Sequence, residues 1–245
     1  MKVVILGATR GMGRALARKM AARGDRLFVL GRNVDDLART MRDLEAHAGG
    51  EEISHAYCDL TDPSSFAPAL DRADKVLGGF DTVVLTAGLF ATQEQLETDP
   101  ELCRRMLIVN HTNSVVFLEE ARRRLLERGG GTLCAFSSVA GERARKPVVL
   151  YGSAKAGLSH YLEGLDHRFH DRGLRVVCVK PGFVKTGMTA GLEPPPFAGE
   201  PDAVAQTVLR AIDSGRPVVY APPIWRWIMA LIRRLPRAVM RRVGF

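Results

Sequence analysis

Residues 3–13 have the sequence VVILGATRGMG, a short run of apolar, mostly β-branched residues followed at once by a turn with three glycines. The apolar run predicts a buried β-strand, and residues 14–23 have the pattern of a helix. Glycines at a strand-to-helix turn let the backbone approach a pyrophosphate, and the helix N-terminus offers unpaired N–H groups and a partial positive charge. The stretch therefore predicts a nucleotide-binding turn at the first strand–helix junction.

Six further apolar runs alternate with helical patterns almost to the end of the chain. They cover residues 27–30, 53–57, 82–86, 132–136, 176–179 and 218–220. Strands that alternate with helices indicate parallel βαβ units. We therefore predict an α/β protein with a single doubly wound Rossmann fold, a seven-stranded parallel sheet and a C-terminal amphipathic helix.

The composition is that of an ordinary globular protein. The 245 residues are 46% hydrophobic and 25% charged, which excludes disordered and low-complexity classes. The four cysteines are scattered without a CxxC pair, so we expect no disulfide framework, no metal site and a reducing, cytoplasmic location. The first apolar run is too short for a signal peptide or a membrane span.

The positive charge is concentrated at the C-terminal end. Residues beyond Asp213 carry seven arginines and no acidic residue, whereas residues 1–213 carry 28 basic and 27 acidic residues. A nucleic-acid-binding protein would spread basic charge over one face of its domain, so we expect no nucleic-acid partner. We divide the chain into residues 1–222, a cofactor-binding domain that includes the catalytic site, and residues 223–245, a basic tail.

The tail has a helical period that separates charged from apolar residues. One side carries Arg226, Arg233, Arg234, Arg237 and Arg241, and the other carries Trp225, Ile228, Leu231, Ile232, Leu235, Val239 and Val243. A basic amphipathic helix with tryptophans is typical of a segment that lies on an anionic membrane surface, here the inner face. The alternative is that the apolar side packs on the body of the protein or on a second subunit. We expect Pro236 to kink the helix.

The end of the second strand indicates which cofactor binds. An NAD-binding fold usually has an acidic residue about 20 residues past the glycines, where it binds the ribose 2′-hydroxyl. Here Gly31 leaves room, and Arg32 and the turn residue Arg10 can both pair with a 2′-phosphate. The pattern favours NADP(H); the alternative is two solvated surface arginines.

Tyr151 and Lys155 are candidates for acid–base chemistry. Their i,i+4 spacing puts them on one face of a helix, and a lysine ammonium near a phenol is expected to lower the pKa of the phenol. Such a tyrosine exchanges a proton with a carbonyl or alcohol oxygen. Ser138 follows the fifth strand, and its hydroxyl is expected to point into the crevice at the strand ends.

Taken together, these motifs resemble the short-chain dehydrogenase/reductase superfamily over about residues 2–220. The matching positions, in order, are Gly7, Gly11 and Gly13, Asp59-Leu60, Thr86-Ala87-Gly88, Asn110, Ser138, Tyr151 and Lys155, and Pro181-Gly182. The resemblance implies that Tyr151 is the general acid/base, that Lys155 binds the nicotinamide ribose, that Ser138 binds the substrate oxygen and that Asn110 holds a relay water. It also implies a homodimer or homotetramer.

The resemblance and the turn together give a set of expected cofactor-binding residues. Asp59 and Leu60 would flank the adenine, while Val184 and Thr186 would meet the carboxamide. The full set is Gly7, Thr9, Arg10, Gly11, Met12, Gly13, Arg32, Asp59, Leu60, Ala87, Gly88, Tyr151, Lys155, Pro181, Gly182, Val184 and Thr186.

The expected function is that of an NADP(H)-dependent oxidoreductase that interconverts a ketone and a secondary alcohol. The end of the chain resembles that of decaprenylphosphoryl-2-keto-ribose reductases and their relatives in Val218-Val219-Tyr220-Ala221-Pro222-Pro223, Trp225-Arg226 and Arg233-Arg234-Leu235-Pro236. The resemblance implies a lipid-like or polyprenyl-linked substrate. Two alternatives stay open at this point: a 3-keto-lipid reductase of the ketosphinganine type, and a non-catalytic cofactor-sensing regulator or scaffold.

Overall fold

The structure is a computed structural model that describes residues 1–49 and 53–244. Within these residues, seven parallel strands form one sheet in the order β3-β2-β1-β4-β5-β6-β7. This confirms the predicted fold class. The strands are β1 Lys2–Leu6, β2 Arg26–Gly31, β3 Ser54–Tyr57, β4 Thr82–Leu85, β5 Gly131–Phe136, β6 Leu174–Pro181 and β7 Val218–Ala221.

Helices cover both faces of the sheet. The α-helices in the described residues are α1 Gly11–Ala22, α2 Val34–Glu45, α3 Phe66–Leu77, α4 Gln93–Thr98, α5 Pro100–Leu107, α6 Asn113–Glu127, α7 Val149–Phe169, α8 Pro201–Ser214, α9 Trp225–Ile232 and α10 Arg237–Met240. The alternation of side chains along β1 shows the layering: Val3 and Ile5 join the core under α1, α2 and α8, while Val4 and Leu6 join the core under α3, α6 and α7.

The sheet order places the candidate site at the carboxyl ends of the central strands. Strand β1 lies between β2 and β4, so the chain winds away from it in both directions. In open α/β sheets, ligands bind in the crevice at such a switch point. Gly7 directly follows β1, Thr86 follows β4 and Ser137 follows β5, so the predicted motifs meet at one edge.

The tail differs from the single kinked helix that the sequence predicts. Helices α9 and α10 are separated by residues 233–236, and Pro236 stands at the start of α10, where its fixed φ and missing N–H are tolerated. Met229 and Ile232 are buried against Val139, next to the loop that carries Ser138. Part of the apolar side therefore packs on the domain, as the alternative proposed, while Trp227 and Leu231 are 69% and 67% exposed. No helix in residues 1–49 and 53–244 has the length and hydropathy that a membrane crossing requires.

Candidate active site

The glycine turn fits closely against the strand next to it. Gly7 and Gly11 have φ values of 106° and 54°, a conformation that favours glycine. A Cβ atom on Gly7 would lie 2.5 Å from the Ala87 nitrogen, and one on Gly13 would collide with the Gly7 carbonyl. The Thr86 hydroxyl donates a hydrogen bond of 2.9 Å to that same carbonyl. The glycines therefore fix a tight turn that side chains would break.

The start of α1 has the donor chemistry that an anionic ligand needs. Arg10 occupies the N-cap position without a side-chain cap, and the first turn contains no acidic residue. The first N–H groups of a helix have no partner within the helix, and the helix dipole favours negative charge there. This observation fits the pyrophosphate of a dinucleotide, which would be held by the backbone of Gly11, Met12 and Gly13.

The two predicted phosphate-binding arginines lie on the surface beside this turn. Arg10 donates to Asp36 at 2.9 Å, and Arg39 donates to the same carboxylate at 2.6 Å. These hydrogen bonds, that from Arg39 above all, hold the pKa of Asp36 below its ordinary value. Arg32 is exposed and has no acidic partner within 4.0 Å in the described part of the chain. The sequence did not single out Asp36 and Arg39, although their i,i+3 spacing on a helix was visible.

Asp59 and Leu60, the expected adenine-side pair, differ in the accessibility of their side chains. Leu60 is 4% exposed and belongs to the core, so its side chain is not available to a ligand. Its carbonyl already accepts a hydrogen bond of 2.6 Å from Asn113. Asp59 is half-buried and accepts from the Thr61 N–H at 2.9 Å. Of the two side chains, Asp59 alone remains available to an adenine.

Asn110 and Lys155 converge beneath Gly88. Asn110 is fully buried in a π-helical turn, Ile108–Thr112, between α5 and α6. Its amide accepts from the Leu89 N–H at 2.9 Å and donates to the Leu89 carbonyl at 2.5 Å. A Cβ on Gly88 would lie 2.9 Å from Asn110 Oδ1 and 3.7 Å from Lys155 Nζ. Turns of this type often occur at functional sites.

Lys155 and Tyr151 lie one turn apart on α7, as the spacing predicts. Lys155 Nζ donates to the Phe136 carbonyl at 2.8 Å and lies 5.9 Å from the centroid of the Tyr151 ring. Burial lowers the pKa of Lys155 to about 8. Burial also raises the pKa of Tyr151 to about 12, and the Ser138 hydroxyl offsets part of that rise. The sequence predicts a lowered pKa for this tyrosine; that prediction is wrong for this structure, because desolvation dominates.

Ser138 and Tyr151 line the same cavity, which has a volume of about 440 Å³. The Ser138 hydroxyl accepts from the Ala140 N–H at 3.1 Å, and the Tyr151 ring meets Phe90 edge-on with centroids 5.2 Å apart. The lining is mainly apolar and includes Met12, Val139, Pro181, Val184, Met188 and Leu192.

The loop after β6 connects this cavity to the glycine turn. Thr186 lies over the turn, since a Cβ on Gly11 would be 3.3 Å from its methyl carbon, and Val184 is buried. Pro181, Gly182, Val184 and Thr186 also line the cavity. The structure thus brings together the expected residues of this loop, the glycine turn and the acid–base pair.

The cavity also contains residues that the sequence did not assign to it. Trp225, from α9, packs its indole against Gly182, and Arg145 lines the wall before α7. Gln93, from α4, accepts from the Leu150 N–H at 3.1 Å and so supports the start of α7. A helical period in the tail indicates that Trp225 is on the apolar side, but it cannot distinguish a side chain facing a cavity from one facing lipid.

Residues 1–196 match the family model for short chain dehydrogenase. The chain is a member of the short-chain dehydrogenase/reductase family. An uncharacterized oxidoreductase of Mycobacterium tuberculosis is 35% identical over 241 residues, which cover 98% of this chain and 96% of that protein. Carbonyl reductase family member 4 of Danio rerio is 32% identical over 222 residues, covering 86% and 90%.

A solved structure agrees with the fold. The short-chain dehydrogenase from Sphingobium yanoikuyae in complex with NADPH has a TM-score of 0.82 and 23% identity, covering 98% of this chain and 95% of that one. At that identity the likeness shows the fold alone. Family membership makes this protein an oxidoreductase whose fold binds a nicotinamide cofactor.

Proposed function

We propose that this protein is an NADP(H)-dependent reductase that interconverts a ketone and a secondary alcohol. The observation that carries the proposal is the convergence of Ser138 and Tyr151 on one cavity, with Lys155 buried behind the tyrosine ring. The bound nicotinamide would supply or accept the hydride. A dedicated cofactor sensor would not need Ser138 and Tyr151 on a mainly apolar cavity with Lys155 buried beside the ring.

The side chains at the site have different roles in the proton transfer. Ser138 and Tyr151 donate hydrogen bonds to the substrate oxygen, which polarises the carbonyl. Because burial raises the pKa of Tyr151 to about 12, the phenol holds its proton at neutral pH and gives it to the oxygen as negative charge develops there. The Lys155 ammonium, 5.9 Å from the ring centroid, stabilises the phenolate that remains. Asn110 fixes the backbone of Leu89 beside these groups.

The preference for NADP(H) rests on the surface beside the glycine turn. The sequence has no acidic residue at the end of β2, where Gly31, Arg32 and Asn33 stand. Arg32 is exposed, and within the described residues Arg10 is held by a surface ion pair with Asp36 that a 2′-phosphate can replace. Two guanidinium groups at this point favour a phosphate over a hydroxyl.

A lipid-like or polyprenyl-linked substrate fits the apolar wall of the cavity. Met188 and Leu192 line the cavity and are also 46% and 37% exposed, so the apolar surface continues outward from it. Phe197, in the same loop, is 61% exposed. A chain of methylenes leaving the site along this loop would cover surface that is otherwise in water.

The same reasoning extends to a membrane surface. Helix α9 places Trp225 in the cavity wall and leaves Trp227 and Leu231 exposed, with seven arginines after Asp213 and no acid. Aromatic and aliphatic side chains among arginines suit peripheral binding to an anionic membrane. Such binding at the inner face of the membrane would bring the cavity to a lipid-borne ketone.

The test is NADPH and NADH oxidation against free and lipid-linked ketones, with and without anionic liposomes. We expect turnover with NADPH, faster turnover with ketones that carry longer alkyl chains, and a gain for lipid-linked ketones on liposomes. Tyr151→Phe serves as the inactive control. NADPH binding without turnover of any ketone in either direction would contradict the reductase and favour a cofactor sensor.

A further inference from the structure

Arg145 brings a positive charge into a cavity whose wall is mainly apolar. It lines the same cavity as Ser138 and Tyr151. Its Nε atom is buried and has no hydrogen-bond partner. Within residues 1–49 and 53–244, no carboxylate lies within 4.0 Å of its guanidinium. In the part of the chain that the structure describes, the cavity wall therefore contains an arginine without an acidic partner and with one buried, unpaired nitrogen.

Neither of the neighbouring acidic residues forms an ion pair with Arg145. Glu142, three residues earlier, accepts from Lys180 at 2.8 Å and from Tyr220 at 2.7 Å. Glu94 is the other charged residue of the described cavity lining, and it is exposed at the first turn of α4 without an ion pair to Arg145. Burial alone lowers the pKa of Arg145, and an arginine still stays protonated at neutral pH.

A guanidinium in a mainly apolar wall with no carboxylate beside it costs free energy, which an anionic ligand would recover. Arginine can only donate hydrogen bonds, so it selects a group that accepts them. Carboxylates and phosphoesters are such groups, and arginine binds both in a two-bond geometry.

We propose that the substrate carries an anionic group, a carboxylate or a phosphoester, which Arg145 binds while the ketone lies at Ser138 and Tyr151. The proposal rests on the reductase function proposed above and adds a substrate class to it. Two fixed points on one substrate would orient the carbonyl and so determine which of its faces receives the hydride.

The test compares matched charged and neutral ketones. One arm uses oxodecanoates with the ketone at successive chain positions and their methyl esters. The second arm uses phosphate monoesters of hydroxyketones and the parent alcohols. We expect wild type to prefer the charged member of at least one arm, and Arg145→Met to lower kcat/KM for it by about ten- to a hundredfold. Turnover of the neutral partner should change by less than about threefold.

Two further variants test whether the preference depends on the positive charge of Arg145 or on any positive charge near the cavity. Arg145→Lys keeps the charge and should restore part of the preference. Lys146→Met removes an exposed charge one residue away, outside the described cavity lining, and should leave the preference unchanged. Equal preference for charged and neutral ketones in wild type, or equal losses for both in Arg145→Met, would overturn the proposal while the reductase function stands.

A binding measurement does not depend on turnover. In a Tyr151→Phe background with NADPH bound, calorimetry should show tighter binding of the preferred anion than of its neutral partner. Adding Arg145→Met should remove that difference. A difference that survives in the double variant would place the anion elsewhere. Failure of wild type to reduce any ketone, with this binding difference intact, would instead count against the reductase function alone.

Discussion

The two sides of the site use charge differently. At the cofactor side, Arg10 and Arg32 are exposed, and Arg10 sits in an ion pair with Asp36 that water screens. At the substrate side, Lys155 is 5% exposed and Arg145 has a buried, unpaired nitrogen. Exposed charges exchange partners at little cost, which suits the selection of a cofactor. Buried charges have shifted pKa values and strong fields, which suits chemistry.

The largest effect should come from the substrate side. Tyr151→Phe keeps the ring and its contact with Phe90 but removes the proton that the proposed mechanism transfers. We expect kcat to fall by at least about 10²-fold, with NADPH affinity nearly unchanged, as measured by steady-state kinetics and fluorescence titration. Near-normal turnover in this variant would mean that another residue is the general acid. It would contradict the assignment of proton transfer to the substrate side.

The cofactor side should respond in affinity rather than in rate. Arg32→Ala removes a cation that can bind the 2′-phosphate, and we expect a loss of about ten- to a hundredfold in NADPH affinity. NADH affinity is the internal control and should not change. Equal affinities of wild type for NADH and NADPH would contradict the assignment of these arginines.

A substitution at Asp36 should change NADPH affinity in the opposite direction, by raising it. Asp36→Asn releases Arg10 and Arg39 and removes a negative charge close to the expected phosphate. Because the ion pairs are at the surface, we expect NADPH affinity to rise by only about two- to fivefold. The cap of α2 uses the backbone N–H of residue 36 and is retained. Weaker NADPH binding in this variant would mean that Asp36 orients Arg10 for the phosphate.

Much of the fold could be predicted because its determinants are local. The seven strands follow from apolar runs, and the glycine turn follows from backbone requirements that Gly7 and Gly13 satisfy. The pKa of Tyr151 could not be predicted, because burial depends on what the fold stacks around the ring. The unpaired state of Arg145 also depends on distant groups, since Glu142, three residues away, is taken by Lys180 and Tyr220.

Lys155 should affect how the free energy of unfolding depends on pH. Its pKa is about 8 in the folded protein and about 10.4 when unfolded. Between these values the unfolded state binds more protons, so the free energy of unfolding contributed by Lys155 rises with pH. Below pH 8 the folded protein carries the full cost of a buried ammonium.

Lys155→Met removes that dependence. In the cofactor-free protein, we expect the stability of wild type relative to the variant to increase by about 3 kcal/mol between pH 7 and pH 10.5. Denaturant titrations at both pH values measure it. A constant difference across this range would mean that the Lys155 ammonium is not desolvated in solution.

A moderate effect is expected where the substrate side meets its surroundings. The double variant Trp227→Ser, Leu231→Ser removes two exposed apolar side chains from α9 and leaves the buried Met229 and the cavity residue Trp225 in place. We expect binding to anionic liposomes to fall by about five- to tenfold, since such side chains contribute a fraction of their full burial energy at an interface. Turnover of a small soluble ketone should not change.

Val34→Ser is the matched control, because Val34 is 65% exposed at the start of α2, on the cofactor side. It should leave sedimentation with liposomes unchanged, and added salt should weaken the binding of wild type because the arginines attract the surface electrostatically. Removing the tail after Pro223 is a poorer test, since that also removes Trp225 and the Met229 and Ile232 side chains that pack on Val139. Wild type that stays in the supernatant with anionic liposomes at low salt would refute membrane binding. A changed oligomeric state in the double variant would show instead that a second subunit covers Trp227 and Leu231.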